Sequence, residues 1–276
     1  MTKSPVTLKG GLATMGPEAI KIRNLLDARI LKWAEEIGAE SMLYPPLVSV
    51  ADLEKIDYFK NFPHLAVCTT RIHPDHLKDK YDNGHPDPEI PSDHLTCCGY
   101  TLPSAACYNV FFSNRDSEFD GVRYFTTIAT CFRNEKEYVG LQRLWSFTMR
   151  EIVCLGTADE AKAHLSSFKE KVLAFGNDLG LNLKTDTATD PFFEQNDSRA
   201  MMQRMFPTKE EFLYNDSLAI ASVNFHRNFF GDRMGIKRNG EALYSGCVAF
   251  GMERWLHALF EVFDGDTDAI AARLSE

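Results

Sequence analysis

Apolar and polar positions divide the chain into helix-like and strand-like stretches. From Gly16 to Ile37, Ile20, Leu25, Leu26, Ile30, Trp33 and Ala34 recur at three- and four-residue spacing, and Gly38 follows as a stop. One amphipathic helix with a core-facing stripe is predicted there. Met42 to Val48 is extended and contains Pro45 and Pro46, which suit an edge strand or a strand end. Thr69 to His94 is polar, holds Pro74, Gly84, Pro86, Pro88 and Pro91, and reads as a surface loop. Leu95 to Phe112 starts as a strand and turns at Pro103 into a short helix, whose first turn tolerates a residue without an N–H.

Two β-rich runs, Arg123 to Phe132 and Leu144 to Cys154, flank the polar hinge Asn134 to Arg143, predicting a hairpin with a long loop. Thr157-x-x-Glu160 is a capping box for a helix running to Asn177. That helix turns Ala161, Leu165, Phe168, Val172, Leu173 and Phe175 inward and Lys162, Lys169 and Lys171 outward. Leu183 to Asn196 is irregular and Ser198 to Phe206 a short helix, so residues 157–206 are expected as a helical insertion within a single domain, 1–276. Lys209 to Tyr214 and Leu218 to Asn224 read as strands, and Phe225 to Met234 as loop or short helix. A strand from Ala242 to Cys247 then meets a helix from Ala249 to Val262, with Gly246 and Gly251 easing the junction.

A chain of 276 residues, 44% hydrophobic and 25% charged, suits one globular domain. No apolar run approaches the ~20 residues of a membrane span. The N-terminal stretch lacks a signal-peptide core, so a cytoplasmic location is expected. The seven cysteines then read as reduced thiols or metal ligands rather than a disulfide frame. The net charge of −9, with no basic arm, argues against a tRNA partner.

The hairpin concentrates the candidate chemistry. Arg133, Glu135, Arg143, Arg150 and Glu151 crowd the inner ends of its strands, with Phe147 among them. Arginine forks bind polyphosphates, and an aromatic face stacks on a base. Surface ion pairs between strand ends would account for the same charges.

Phe132-Arg133-Asn134-Glu135, a loop, then Arg143-x-x-x-Phe147 resembles motif 2 of class II aminoacyl-tRNA synthetases, and Cys131-Phe132-Arg133-x-Glu135 is most like the seryl enzymes. The first helix with its proline-bearing strand resembles motif 1, the dimer-forming element. Glu253-Arg254 resembles motif 3, although Val248 and Phe250 replace expected small residues. The resemblance implies an α+β class II catalytic core, a mainly antiparallel sheet flanked by helices. Cys107, Glu151 and Cys247 match the three separated ligand positions of zinc-bearing relatives. Two thiolates and a carboxylate leave a fourth tetrahedral position open, here for a substrate amine.

Taken together, the chain resembles the seryl-tRNA-synthetase-like amino acid–carrier protein ligases. That resemblance implies a cytoplasmic homodimeric ligase. It activates a small amino acid with ATP and transfers it to the phosphopantetheine thiol of a carrier protein, with one Zn²⁺ per chain, Mg²⁺ with ATP and no tRNA. Only one helix precedes motif 1, so no tRNA-binding arm is expected. By carry-over, Arg133 and Arg254 are catalytic: Arg133 holds the α-phosphate, and Arg143 and Arg254 grip the terminal phosphates. Glu135 and the backbone at Leu144 read the adenine, Phe147 stacks on it, Lys209 reaches the nucleotide, and Glu151 serves both substrate and metal. Ser222 matches a magnesium-site hydroxyl, while Ala219 stands where a magnesium-binding glutamate is expected. The carrier is expected on the lysines of the 157–177 helix, or on Arg227, Arg233, Lys237 and Arg238. An armless tRNA synthetase and a non-catalytic synthetase-like regulator are the alternatives.

Overall fold

A computed structural model of the chain describes residues 5–81, 89–194, 196, 201, 203, 205 and 207–276. A terminal hairpin, β1 (Val6–Lys9) and β2 (Leu12–Met15), leads into helix α1 (Pro17–Glu36) and strand β3 (Glu40–Met42). A small layer follows: β4 (Val48–Ser49), α2 (Val50–Lys55), α3 (Tyr58–Asn61), β5 (Val67–Ile72), α4 (Pro74–Tyr81) and β6 (Leu95–Leu102). Helix α5 (Tyr108–Ser113) precedes the hairpin strands β7 (Arg123–Phe132) and β8 (Ser146–Gly156). Then come α6 (Ala158–Asp178), β9 (Lys184–Thr187), β10 (Lys209–Tyr214), β11 (Leu218–Arg227) and α7 (Phe229–Met234). The chain ends with β12 (Lys237–Arg238), β13 (Glu241–Ala242), β14 (Tyr244–Gly251), α8 (Met252–Val262) and α9 (Thr267–Ser275).

Seven strands form the main sheet in the order β3-β7-β8-β14-β11-β10-β9, with β3 parallel to β7 and every other pair antiparallel. Strand alternation gives this sheet two different faces. One face presents Ile152, Val248 and Phe250 to α1, α6 and α8, where Ile22, Phe168, Trp255 and Leu256 complete a large apolar core. Each fully buried side chain of this kind contributes about 1.5–3 kcal/mol. The other face carries Phe125, Val153 and Cys247 under α5 and α7, and beyond their edge it opens into the site. A buried fork fastens α1 to β8: Arg150 donates to both carboxylate oxygens of Asp27 at 2.8 Å, and to Thr126 Oγ1 at 3.2 Å.

Several expectations need revision. Ile20 is exposed, and α1 buries Ala19 and Ile22 instead, because the true stripe runs 19-22-26-30-33. The 69–94 stretch is no continuous loop: β5 pairs with β6, and α4 follows it. Strand β6 lies where the strand from Leu95 was expected, whereas β5 has no buried residue and carries Thr69, Thr70 and Arg71, so no apolar alternation marked it. Pro103 lies before α5 rather than in its first turn, and its carbonyl accepts the Phe132 N–H at 2.7 Å. Strand β14 runs four residues past Cys247, and α8 starts at Met252. This accounts for the bulky Val248 and Phe250, which point into the core while Ala249 and Gly251 line the open face. The short helix expected over Ser198 to Phe206 falls mainly outside the described residues. Within 157–206, α6 covers the main sheet and β9 forms its edge.

Candidate active site

Antiparallel pairing sets the floor of the site. Thr127 faces Glu151, Glu151 faces Ala249, Ala249 faces Ser222, and Ser222 faces Glu211, one row across five strands. The next row of the same face contains Val153, Cys247, Asn224 and Lys209. The motif 2 loop closes one end. Arg133 N–H donates to Trp145 O at 3.0 Å, and Arg133 Nε donates to Ser104 O at 3.1 Å. The guanidinium stands over the Phe147 ring, 5.1 Å from its centre. Ser104 is itself held by the Tyr58 hydroxyl, which donates to its Oγ at 2.9 Å.

Two cavities open from this floor. The first, of about 100 Å³, is lined by Arg133, Glu135, Arg143, Leu144 and Phe147 from the hairpin. Lys209, Ala219, Ser222 and Arg254 complete its wall, so the structure brings together every nucleotide residue inferred from the sequence. Arg254 is anchored across it, Nε donating to Gln142 O at 2.7 Å and Nη1 to Ala219 O at 2.8 Å. Burial, with Arg133 close by, lowers its tendency to stay protonated relative to an exposed arginine. Glu253, which also lines this cavity, is buried and accepts the Thr148 N–H at 2.7 Å, tying α8 to β8. Arg143 lies 3.5 Å from Glu135, and Lys209 lies 3.0 Å from Glu211 and 3.3 Å from Asp190.

The second cavity, of about 390 Å³, contains Cys107, Glu151 and Cys247. One donor atom from each of these buried residues lies within 4.8 Å of the other two. Glu151 Oε1 accepts the Ala106 N–H at 2.8 Å, leaving the second oxygen available. The neighbouring Cys247 sulfur, burial and the Glu151 carboxylate all push the Cys107 thiol well above its usual range. The hydrogen bond with Cys107 pulls Cys247 down, but burial and Glu151 outweigh it and leave this thiol raised as well. Three groups that are anionic when ionised thus converge where their charges oppose one another. A divalent cation would reverse that penalty, and a Cys₂Glu donor set suits zinc. The two cavities meet at Arg133, Met149, Lys209, Ser222 and Ala249, which line both.

Comparison with known proteins agrees with this geometry. The tRNA synthetase class II core domain family (G, H, P, S and T) matches residues 107–263. This chain belongs to the class II aminoacyl-tRNA synthetase core family. An amino acid–[acyl-carrier-protein] ligase of Bradyrhizobium diazoefficiens is 34% identical to this synthetase core, over 90% of this chain and 79% of its own length. A type-2 serine–tRNA ligase of Methanococcus maripaludis is 25% identical over 80% of this chain and 47% of its own, so the core spans about half the length of that relative. The structure of M. kandleri seryl-tRNA synthetase with A. aeolicus tRNASec superposes with a TM-score of 0.80 at 20% identity, covering 94% of this chain and 55% of that one.

Three site residues escaped the sequence reading. Glu211 lines the first cavity directly opposite Ser222, a position signalled only by the two-residue step from Lys209. Asn224 and His226 line the second cavity and reach Cys247. Burial drives His226 down to about 4, so its ring is neutral at physiological pH. The expected carrier-docking lysines are largely engaged within the synthetase core: Lys169 pairs with Glu210 and Lys171 with Glu36, while Lys162 lies over the Phe225 ring. In the second basic cluster Arg233 pairs with Asp57 and Arg238 with Glu160. Among the described residues no helix is long and apolar enough to cross a membrane.

Proposed function

We propose that this chain activates a small amino acid with ATP and passes it to the phosphopantetheine thiol of a carrier protein. The observation that carries this reading is the meeting of the two cavities at Arg133, which puts nucleotide groups and amine-anchoring groups on one continuous floor. The acceptor is inferred from the 34% identical ligase that is named for an acyl-carrier protein.

In the first step a carboxylate oxygen of the amino acid attacks the α-phosphorus of ATP, and pyrophosphate leaves. Arg133, at the junction, holds the α-phosphate and offsets charge developing there. Phe147 stacks on the adenine, Glu135 and the Leu144 backbone read its amine, and Arg143 and Arg254 hold the departing phosphates. The ion pair of Arg143 with Glu135 opens as these groups take up the nucleotide. Lys209 and Ser222 complete the phosphate end. Ala219 has no carboxylate, so Glu211 across the strand pair takes the magnesium-binding role. In the second step the carrier thiol attacks the acyl carbon, forming a thioester and releasing AMP. The work of the chain is position and charge compensation.

Cys107, Glu151 and Cys247 hold one zinc ion. When bound, the ion supplies an anchor for the substrate amine. The proposed homodimer forms through the Pro45–Pro46 segment, where Leu43 is 87% exposed and Met42 and Leu47 are also exposed. Association would cover them.

Pyrophosphate exchange with each amino acid, followed by transfer to a phosphopantetheinylated carrier or to tRNA, tests the reading. We expect exchange with small amino acids and transfer to the carrier. Absence of exchange with every amino acid would refute the enzymatic reading, and exclusive transfer to tRNA would refute the acceptor.

A further inference from the structure

We infer that Asn224 and His226 are positioning residues that donate N–H···S hydrogen bonds to Cys247 and so set the charge its sulfur offers a bound metal. The inference rests on the metal reading above. Strand register sets Asn224 directly opposite Cys247, and His226, at the irregularity where the register shifts between Phe225 and Arg227, brings its ring to the same sulfur. Asn224 Nδ2 lies 3.4 Å from Cys247 Sγ and 3.1 Å from Ser222 Oγ. An amide has two N–H groups, so both bonds form together. His226 Nε2 lies 3.6 Å from Cys247 Sγ, and its Nδ1 lies 3.1 Å from Ser245 Oγ.

The tautomer follows from the chemistry. A thiolate bound to a metal has no hydrogen and only accepts. His226 Nε2 must therefore bear the proton, Nδ1 must accept, and the buried Ser245 hydroxyl must donate to it. Phe111 and Phe230 pack edge-to-face on the ring, at interplanar angles of 85° and 88°, and fix its plane. Aromatic packing alone would leave the two nitrogens undirected, yet both face polar atoms. Cys107 receives no N–H donor among the described residues. The two sulfurs are therefore unequal: Cys107 gives more charge to the metal, and Cys247 less.

Metal-ligand partners of this kind influence affinity by about 10–100-fold. Three variants of the metal-loaded protein test the assignment. His226→Phe keeps the ring packing without an N–H, Asn224→Leu keeps the shape, and Ser245→Ala frees the tautomer. Zinc affinity is measured by competition with a chelator, and the sulfur-to-metal charge-transfer band by cobalt substitution. We expect zinc affinity to fall about 10–100-fold in the first two variants, because loss of the donors that hold the sulfur in its direction toward the metal outweighs its stronger donation. Their cobalt bands should move to longer wavelength, because a sulfur relieved of a hydrogen bond gives up charge more readily. Ser245→Ala should shift the band less, in the same direction. It leaves every ring in place and decides the matter should the other variants not fold. Unchanged affinity and spectrum in folded variants would overturn the inference while leaving the metal reading intact. A changed cobalt coordination number in His226→Phe would also overturn it, by making His226 a ligand. Wild-type protein that binds neither metal would refute the metal reading itself.

Discussion

Arg254→Met separates a catalytic from a structural role for the motif 3 arginine. The guanidinium donates to two backbone carbonyls, Gln142 O at 2.7 Å and Ala219 O at 2.8 Å. Bonds from a charged donor contribute about 1.5–3 kcal/mol each, or about 3–6 kcal/mol together. Against this stands a desolvation cost of several kcal/mol for the partly buried cation, the same cost that lowers its pKa. The two nearly cancel. Methionine keeps an unbranched stem, and the cavity beside the carbonyls lets water replace the lost donors. Unfolding free energy should therefore change by about 2 kcal/mol or less in urea titrations. Activity should respond differently. Losing one preorganised donor to developing charge costs about 10²–10³ in rate, and this variant loses the whole fork. Pyrophosphate exchange should fall by about 10³ or more in kcat/KM. Exchange within tenfold of wild type, or a stability loss as large as the activity loss, would refute the catalytic role.

Removal of zinc by a chelator, or Cys247→Ser, should lower the metal content from about one ion per chain and abolish exchange. Elemental analysis that finds no metal in the wild type, or an unaltered content in the variant, would contradict the site. Glu211→Gln should raise the Mg²⁺ concentration for half-maximal exchange about tenfold, with little change at saturating Mg²⁺. A magnesium titration superimposable on wild type would return Glu211 to a purely structural pairing with Lys209. Leu43→Lys should dissociate the dimer and weaken exchange, measured by sedimentation at micromolar protein. A fully active wild-type monomer would exclude the interface.

Legibility in the sequence followed local pattern strength. The hairpin was readable to within two residues because alternation and a polar hinge agree over its whole length. The capping box placed the start of α6 for the same reason. Motif resemblance supplied Cys107, Glu151 and Cys247, which no spacing rule would have joined. Their meeting depends on a strand register that only the folded sheet defines. Strand β5 of the small layer lacked a pattern, and the boundary of β14 was obscured because its apolar residues run on into α8. Asn224 and His226 drew no notice because each is an unremarkable polar residue until Cys247 faces it.

Strand β14 has a further mechanical consequence. It is bonded to β8 on one side and β11 on the other along most of its length. Cys247 stands near its middle, and Gly251 at its end delivers the chain to Arg254. Four residues of strand at about 3.3 Å each fix about 13 Å between Cys247 and Gly251, the residue from which α8 carries Arg254. On the proposed roles the strand is thus a gauge: the amine end and the phosphate end of the reaction could not be reset independently. A substrate with one more carbon between amine and carboxylate would overrun the mark at one end or fall short at the other. β-Alanine activated as readily as glycine would show that the gauge yields.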